Sequence, residues 1–168
     1  KQSAGPDDST LESAYRRFGA HVYSLCMRLL GDAPGAEAAT VRAFVAVGRR
    51  LAQGWDDSRT FLHLREAAIA DSLSTTRVPA SLPVSATRTV IETVLAGEQL
   101  NLRLPLKPAL LDLLVAQLPE AERLAYVLRD VEGLSDEAVA SRLRMSKVDE
   151  RRLLHRARLA LRRLWLAQ

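Results

Sequence analysis

The chain has 168 residues, enough for one ordinary domain or for two small ones. Its composition, 48% hydrophobic and 26% charged, is that of a globular protein and excludes an intrinsically disordered one. The formal net charge is only +4, but residues 142–168 hold nine basic and two acidic residues. A basic block of this kind indicates either a polyanionic partner or a solvated helix face.

Two further features of the sequence bear on where the protein works. No apolar run approaches the roughly 20 residues that a membrane-spanning helix needs, and nothing resembles a signal peptide. The single cysteine, Cys26, excludes an internal disulfide and fits a reducing cytosol. We therefore expect a cytoplasmic protein without membrane insertion.

Three amphipathic helices are predicted in the N-terminal part of the chain. The first begins near Ser9 or Thr10 and ends at Gly31, because apolar residues recur between them at helical spacing. The second follows the sequence DAPG and ends at Gly54. The third begins after the sequence WDDSRT, whose two aspartates we interpret as a charge feature at a helix N-terminus. These patterns predict a small helical domain over residues 8–76.

The composition changes in residues 77–108, which hold four prolines and many serines and threonines. This stretch is predicted to be a linker with one short helix from about Ala86 to Leu100. The helical pattern resumes at Ala109 and predicts four helices, in a second domain over residues 109–168. The predicted fold class is therefore all-α, with an N-terminal bundle of three to four helices and a C-terminal domain of four.

The last two predicted helices form a helix-turn-helix arrangement, because only the three-residue turn RMS separates them. Ser135 and Ser146 are the expected N-caps of the two helices. In such motifs the start of the second helix meets base edges, whereas other contacts go to phosphates. The candidate base-reading residues are Lys147, Arg151, Arg152 and His155, and the candidate phosphate contacts are Arg156 and Arg158.

Two carboxylates, Asp149 and Glu150, interrupt this basic segment. Acids in the first turn of a helix favour the helix dipole, and the spacing from Ser146 to Asp149 is typical of a capping box. The functional alternative is that a carboxylate accepts a hydrogen bond from cytosine N4. Glu150 precedes Leu154 by one turn, so it lies on the apolar stripe that we expect to face inward. That predicted stripe comprises Leu154, Ala157, Leu161, Leu164 and Trp165.

The segment LPEAERLAYVLRDVEGLSDEAVASRLRMSKVDERRLLHRARLALRRL resembles region four of the extracytoplasmic-function sigma factors, most clearly in LPE, EGLS, AVASRL and HRARLALR. The N-terminal segment YRRFGAHVYSLCMRLLGDAPGAEAA is similar to the opening of region two. The resemblance implies an all-helical protein that binds core RNA polymerase through region two and recognises promoter DNA. It also implies that no cofactor is needed, since polymerase supplies the chemistry, and that an anti-sigma factor is a possible partner.

The sequence departs from this family at contact positions of region two. In the helix after GD, Glu37 and Phe44 fit the polymerase-binding signature, whereas Ala38, Val41 and Arg42 stand where Asp, Gln and Glu are typical. The third predicted helix offers few of the aromatic and basic residues that single-strand capture needs. We therefore expect fewer contacts to polymerase and to the downstream promoter element than an ordinary family member makes.

A further departure lies in the turn of region four. Arg144 stands where the family commonly has a turn glycine. If its φ is positive, a side chain at this position costs up to about 1 kcal/mol.

The sequence is compatible with three functions. The first is a divergent sigma factor, and the second is a sigma mimic that occupies an anti-sigma factor or another protein without promoter activity. The third is a stand-alone DNA-binding regulator that uses only the C-terminal motif. Catalysis is poorly supported, because the three histidines lie on different predicted helices and neither metal-ligand spacing nor a glycine-rich phosphate loop occurs. We therefore predict a protein that is not an enzyme, with no metal site.

Overall fold

The computed structural model describes residues 8–51, 54–76 and 108–167. Regular structure within these residues is helical throughout, which confirms the all-α prediction. The described helices group into two compact units, three helices in the N-terminal one and four in the C-terminal one. The short helix predicted at Ala86–Leu100 lies outside the described residues. The boundaries 8–76, 77–108 and 109–168 therefore stay predictions.

The N-terminal unit is a three-helix bundle in which every helix packs against the other two. Its core is made of small and aliphatic side chains together with Phe44, and Cys26 is a fully buried member of it, as expected for a small core residue. Gly31, with a φ of 79°, ends the first helix. The helices are α1 (Asp8–Leu30), α2 (Ala33–Leu51) and α3 (Asp57–Thr75).

Helices α2 and α3 both begin earlier than the sequence predicted, because an aspartate lies before each of them. The side chain of Asp32 accepts a hydrogen bond from the backbone N–H of Gly35 at 2.7 Å. Asp56 is the N-cap of α3 and accepts from the backbone N–H of Arg59, also at 2.7 Å. The pair Asp56–Asp57 is therefore a helix-start feature, as interpreted from the sequence.

The C-terminal unit is built around its longest helix, which packs against the three that precede it. Leu153, Leu154, Ala157 and Leu161 of that helix are buried. The second helix of the unit continues as a π-helical stretch at Val127–Val131. The helices are α4 (Pro108–Ala116), α5 (Glu120–Tyr126), α6 (Asp136–Arg142) and α7 (Lys147–Leu166).

Both caps predicted for the helix-turn-helix are confirmed. The hydroxyl of Ser135 accepts from the backbone N–H of Ala138 at 3.2 Å, and that of Ser146 accepts from the backbone N–H of Asp149 at 3.1 Å. Ser146 also donates its hydroxyl proton to the Asp149 carboxylate at 2.7 Å. These bonds fix the first residue of each helix and therefore the direction in which α7 leaves the turn.

The turn holds its arginine in a left-handed conformation, since Arg144 has a φ of 54° and an exposed side chain. We expect Arg144→Gly to raise the free energy of unfolding by up to about 1 kcal/mol, because glycine adopts this conformation without the Cβ clash. Thermal unfolding of the intact chain measures the change. The matched control is Arg162→Gly, within helix α7, which should lower stability by about 1 kcal/mol. A loss of stability in Arg144→Gly as well would contradict the assignment of strain.

Candidate nucleic-acid interface

The start of α7 presents two cations and one apolar side chain on an exposed surface. Lys147 is the first residue of the helix, and Arg151, one turn later, has a side chain that is 69% exposed. Val148 lies beside them and is 56% exposed. We call Lys147, Val148 and Arg151 the tip of α7. Its position at the start of the second helix is where a helix-turn-helix meets base edges.

The cations of the tip are paired with acids from the first turn of α6. Lys147 donates from its ammonium group to Glu137, and Nη2 of Arg151 donates to Oδ2 of Asp136 at 3.0 Å. These pairs join residues ten and fifteen positions apart. The first turns of the two helices are therefore held side by side, with opposite charges in contact.

The other two residues predicted to read bases are less accessible. Nη1 of Arg152 donates to Oδ1 of Asp149 at 3.2 Å, and the arginine is partly buried. His155 is also partly buried, and its Nε2 has no hydrogen-bond partner among the described residues. Of the four candidates, only Lys147 and Arg151 are exposed to solvent.

The two candidate phosphate contacts lie in ion pairs that bind α7 to the rest of its unit. Arg156 pairs with the buried Glu122 of α5 at 2.7 Å. Arg158 donates two hydrogen bonds, of 2.8 and 2.7 Å, to both carboxylate oxygens of Asp130 in the π-helical stretch. Burial raises the pKa of Glu122, and the charge of Arg156 opposes that shift. Both arginines therefore have structural partners that the sequence did not reveal.

Glu150 is the most unusual residue of the helix, because it is only 1% exposed. Neither of its carboxylate oxygens has a hydrogen-bond partner among the described residues. The nearest cation is Arg129, whose Nε lies 4.0 Å from Oε1 and whose Nη1 donates to the carbonyl of Leu134 at 2.7 Å. Burial raises the pKa of Glu150, and the charge of Arg129 partly opposes it. The prediction that Glu150 faces inward is confirmed.

The rest of the predicted inward stripe needs a correction. Leu154, Ala157 and Leu161 are buried as expected, but Leu164 and Trp165 are only partly buried. Leu153, which the prediction omitted, is buried instead. The difference arises because α7 packs against three helices rather than one, so its apolar face is wider at the start than a single stripe.

The two candidate polymerase-binding residues occupy different environments on α2. Glu37 is exposed, whereas Phe44 is buried and packs edge-to-face on Tyr15 with ring centroids 5.2 Å apart. The exposed face of α2 carries Val41 and Val45 instead, the latter 66% exposed. Phe44 is thus a core residue, and its ring is not exposed to a partner.

Arg42, on the same helix, does not extend freely from the surface. It donates two hydrogen bonds, of 2.7 and 2.9 Å, to the carboxylate of Asp71 on α3. At a position where the resemblance to region two implies an acid, this chain therefore has a cation that is bound to the next helix.

The three histidines are divided between the two units. His21 meets the edge of Phe61, and His63 stacks on Trp55 at 4.3 Å, both in the N-terminal unit, whereas His155 belongs to the C-terminal one. The part of the chain that the structure describes contains no group of three or more residues able to hold a metal ion. Among these same residues no helix is both long and apolar enough to cross a membrane.

Comparison with known families gives one match. Residues 109–161 match the family described as sigma-70, region 4, and they cover α5, α6, most of α4 and the greater part of α7. The match lies within the C-terminal unit, and there it confirms the resemblance to region four of the sigma factors. No curated protein matches the chain.

Proposed function

We propose that this chain, whose C-terminal unit matches sigma-70 region 4, is a divergent extracytoplasmic-function sigma factor. In this role it delivers core RNA polymerase to promoter DNA in the cytoplasm. The observation that carries the proposal is the exposed tip of α7, which follows a short turn and places two cations and a valine at the protein surface. That combination suits the major groove, where cations meet guanine and phosphates and an apolar group meets the thymine methyl.

Within this proposal the basic residues of α7 divide into two groups. Arg151 and Lys147 contact DNA directly, because they are the exposed cations nearest the helix start. Arg152 and His155 contribute from the side, from partly buried positions. Arg156 and Arg158 orient the helix through their ion pairs and reach phosphates only if those pairs open.

The proposed surface for core polymerase is the exposed face of α2. It combines Glu37 with the apolar side chains of Val41 and Val45. An exposed apolar strip with a polar rim is typical of a protein–protein contact. Because Arg42 is bound to Asp71, this face is less acidic than the family signature, and we expect a weaker complex than that of an ordinary member.

A second candidate function is a sigma mimic that occupies an anti-sigma factor without promoter activity. One observation favours it: the cations of the tip are paired with carboxylates of the same domain, which reduces their availability to DNA. An anti-sigma factor and core polymerase would both bind a protein surface of this chain, so protein binding alone does not distinguish the two functions. Selection of a DNA sequence does, because only the sigma factor binds promoter DNA. A stand-alone regulator, the third alternative, differs from the first in selecting DNA without polymerase.

The test is selection from a pool of random-sequence DNA duplexes by the intact chain, with and without core RNA polymerase. We expect enrichment of a common motif when polymerase is present. Enrichment by the chain alone to the same extent would favour the stand-alone regulator. A pool that stays random under both conditions would contradict a promoter-binding function and favour the mimic.

A further inference from the structure

The contact between α6 and α7 pairs acidic side chains with the cations that are proposed to bind DNA. Two adjacent acids in the first turn of α6, Asp136 and Glu137, meet the two exposed cations of the tip. We call Asp136 and Glu137 the acid pair. Each acid engages a different cation, so both exposed cations of the tip carry a carboxylate partner.

The acid pair is held in place independently of the cations. Ser135 caps α6, which fixes the first turn, and the backbone N–H of Glu137 donates to Oδ1 of Asp136 at 3.1 Å. Carboxylates in a first turn are also favoured by the helix dipole. The pKa of Asp136 lies well below its usual value, first because of its hydrogen bonding with Glu137 and then because of Arg151. The Asp136 carboxylate is therefore present and charged at neutral pH.

We propose that the acid pair is an autoinhibitory clasp on the DNA-binding tip, in which Asp136 and Glu137 take the place of DNA phosphates. This inference rests on the proposed function, since it concerns the same tip. Arg151 must leave Asp136, and Lys147 must leave Glu137, before either can bind DNA. Each ion pair that must open costs binding free energy, and added salt weakens that ion pair as well as the contact with DNA. DNA binding is therefore both weaker and less dependent on salt than the count of cations suggests.

A simpler explanation is that the acids repel DNA without acting through the cations. A double-mutant cycle separates the two, because a clasp requires its partner whereas direct repulsion does not. If Asp136 acts through Arg151, then Asp136→Asn strengthens binding in the wild-type chain but not in an Arg151→Ala background. Direct repulsion gives the same gain in both backgrounds. Glu137→Gln with Lys147→Ala forms a second, independent cycle.

The experiment is a fluorescence-anisotropy titration of the intact chain against a fluorescein-labelled, mixed-sequence DNA duplex at several NaCl concentrations. We expect Asp136→Asn with Glu137→Gln to raise affinity about tenfold, since two exposed ion pairs no longer compete with DNA. The slope of log affinity against log salt should steepen by about 0.9 for each cation released. The matched control is Glu120→Gln, which removes an exposed acid from the first turn of α5 and should change neither quantity appreciably.

Circular dichroism of each variant verifies that α6 and α7 remain folded, and the Glu137→Gln variant alone gives the same test if Asp136→Asn proves unstable. Equal gains in the wild-type and alanine backgrounds, or no gain at all, would overturn the clasp. The proposed function has a separate criterion: it is contradicted if Arg151→Ala leaves the affinity for DNA unchanged in the same titration. A chain in which Arg151→Ala weakens binding and Asp136→Asn has no effect therefore binds DNA through the tip without a clasp.

Discussion

Glu150→Val is expected to raise the free energy of unfolding of the C-terminal unit by about 2 kcal/mol at neutral pH. The side chain of Glu150 is buried, its carboxylate lacks a hydrogen bond among the described residues, and the nearest cation is 4.0 Å away. An ionised group in that position loses its hydration without adequate compensation. Valine removes the group and extends the apolar face that Leu153 and Leu154 already form.

The stabilisation should depend on pH in a defined direction. The folded state holds the pKa of Glu150 above its ordinary value of 4.5, so folding favours the protonated form. Well below pH 4.5 both states are protonated and the residue imposes no ionisation penalty. As pH rises above 4.5 the unfolded state releases its proton first, and stability falls until the folded pKa is passed. The gain from Glu150→Val should therefore grow over that interval and then level off.

The measurement is thermal unfolding followed by Trp165 fluorescence in a Trp55→Phe background, which leaves one tryptophan, in the C-terminal unit. A gain of about 2 kcal/mol corresponds to a rise in melting temperature on the order of 10 °C for a domain of this size. Glu120→Val is the matched control, because it makes the same chemical change at an exposed position. A lower melting temperature for Glu150→Val would mean that the carboxylate makes a specific polar contact that stabilises the fold.

The second large effect concerns DNA binding. Replacing Arg151 and Arg152 by alanine should reduce affinity for a DNA duplex by about 100-fold or more, since each arginine at a base or phosphate contributes about 1–3 kcal/mol. Arg151 should account for most of the loss, because it is exposed at the tip whereas Arg152 is partly buried against Asp149. A gel-shift titration at low salt measures the change.

A matched control keeps the loss of charge constant and changes only its place. Arg162→Ala with Arg163→Ala also removes two cations from α7, both exposed and near the opposite end of the helix. We expect this variant to bind with only a few-fold loss, from the reduced net charge. Undiminished affinity in the Arg151 and Arg152 variant would rule out the tip as the contact surface. Equal losses of affinity in both variants would mean that the net charge of the protein, and not the position of the cations, determines DNA binding.

Local features of the fold could be predicted from the sequence because they depend on neighbouring residues. The caps at Ser135 and Ser146 follow from side chains that bond backbone groups three positions later. The resemblance places a turn glycine at the position of Arg144, which left the sign of its φ open, and the structure gives a positive φ. Helical periodicity alone placed Glu150 on the inward face, and the structure buries it there.

Tertiary features could not be predicted in the same way. Arg158 and Asp130 are 28 residues apart, and their two hydrogen bonds exist only once α7 has packed against the π-helical stretch. The pairing of Arg151 with Asp136 likewise depends on the angle between two helices. A count of basic residues therefore overestimated the cations available to DNA. Phe44 was assigned to polymerase binding from its place in a family pattern, whereas the structure buries it against Tyr15.

The most direct test of the sigma-factor function is co-elution of the intact chain with core RNA polymerase from its own source. We predict a stable complex that is lost in Val45→Asp, which charges the exposed face of α2, and kept in Ser13→Asp, which makes a similar change on the exposed surface of α1. The absence of any complex, at concentrations where an ordinary sigma factor binds, would contradict the account and leave the mimic or the stand-alone regulator.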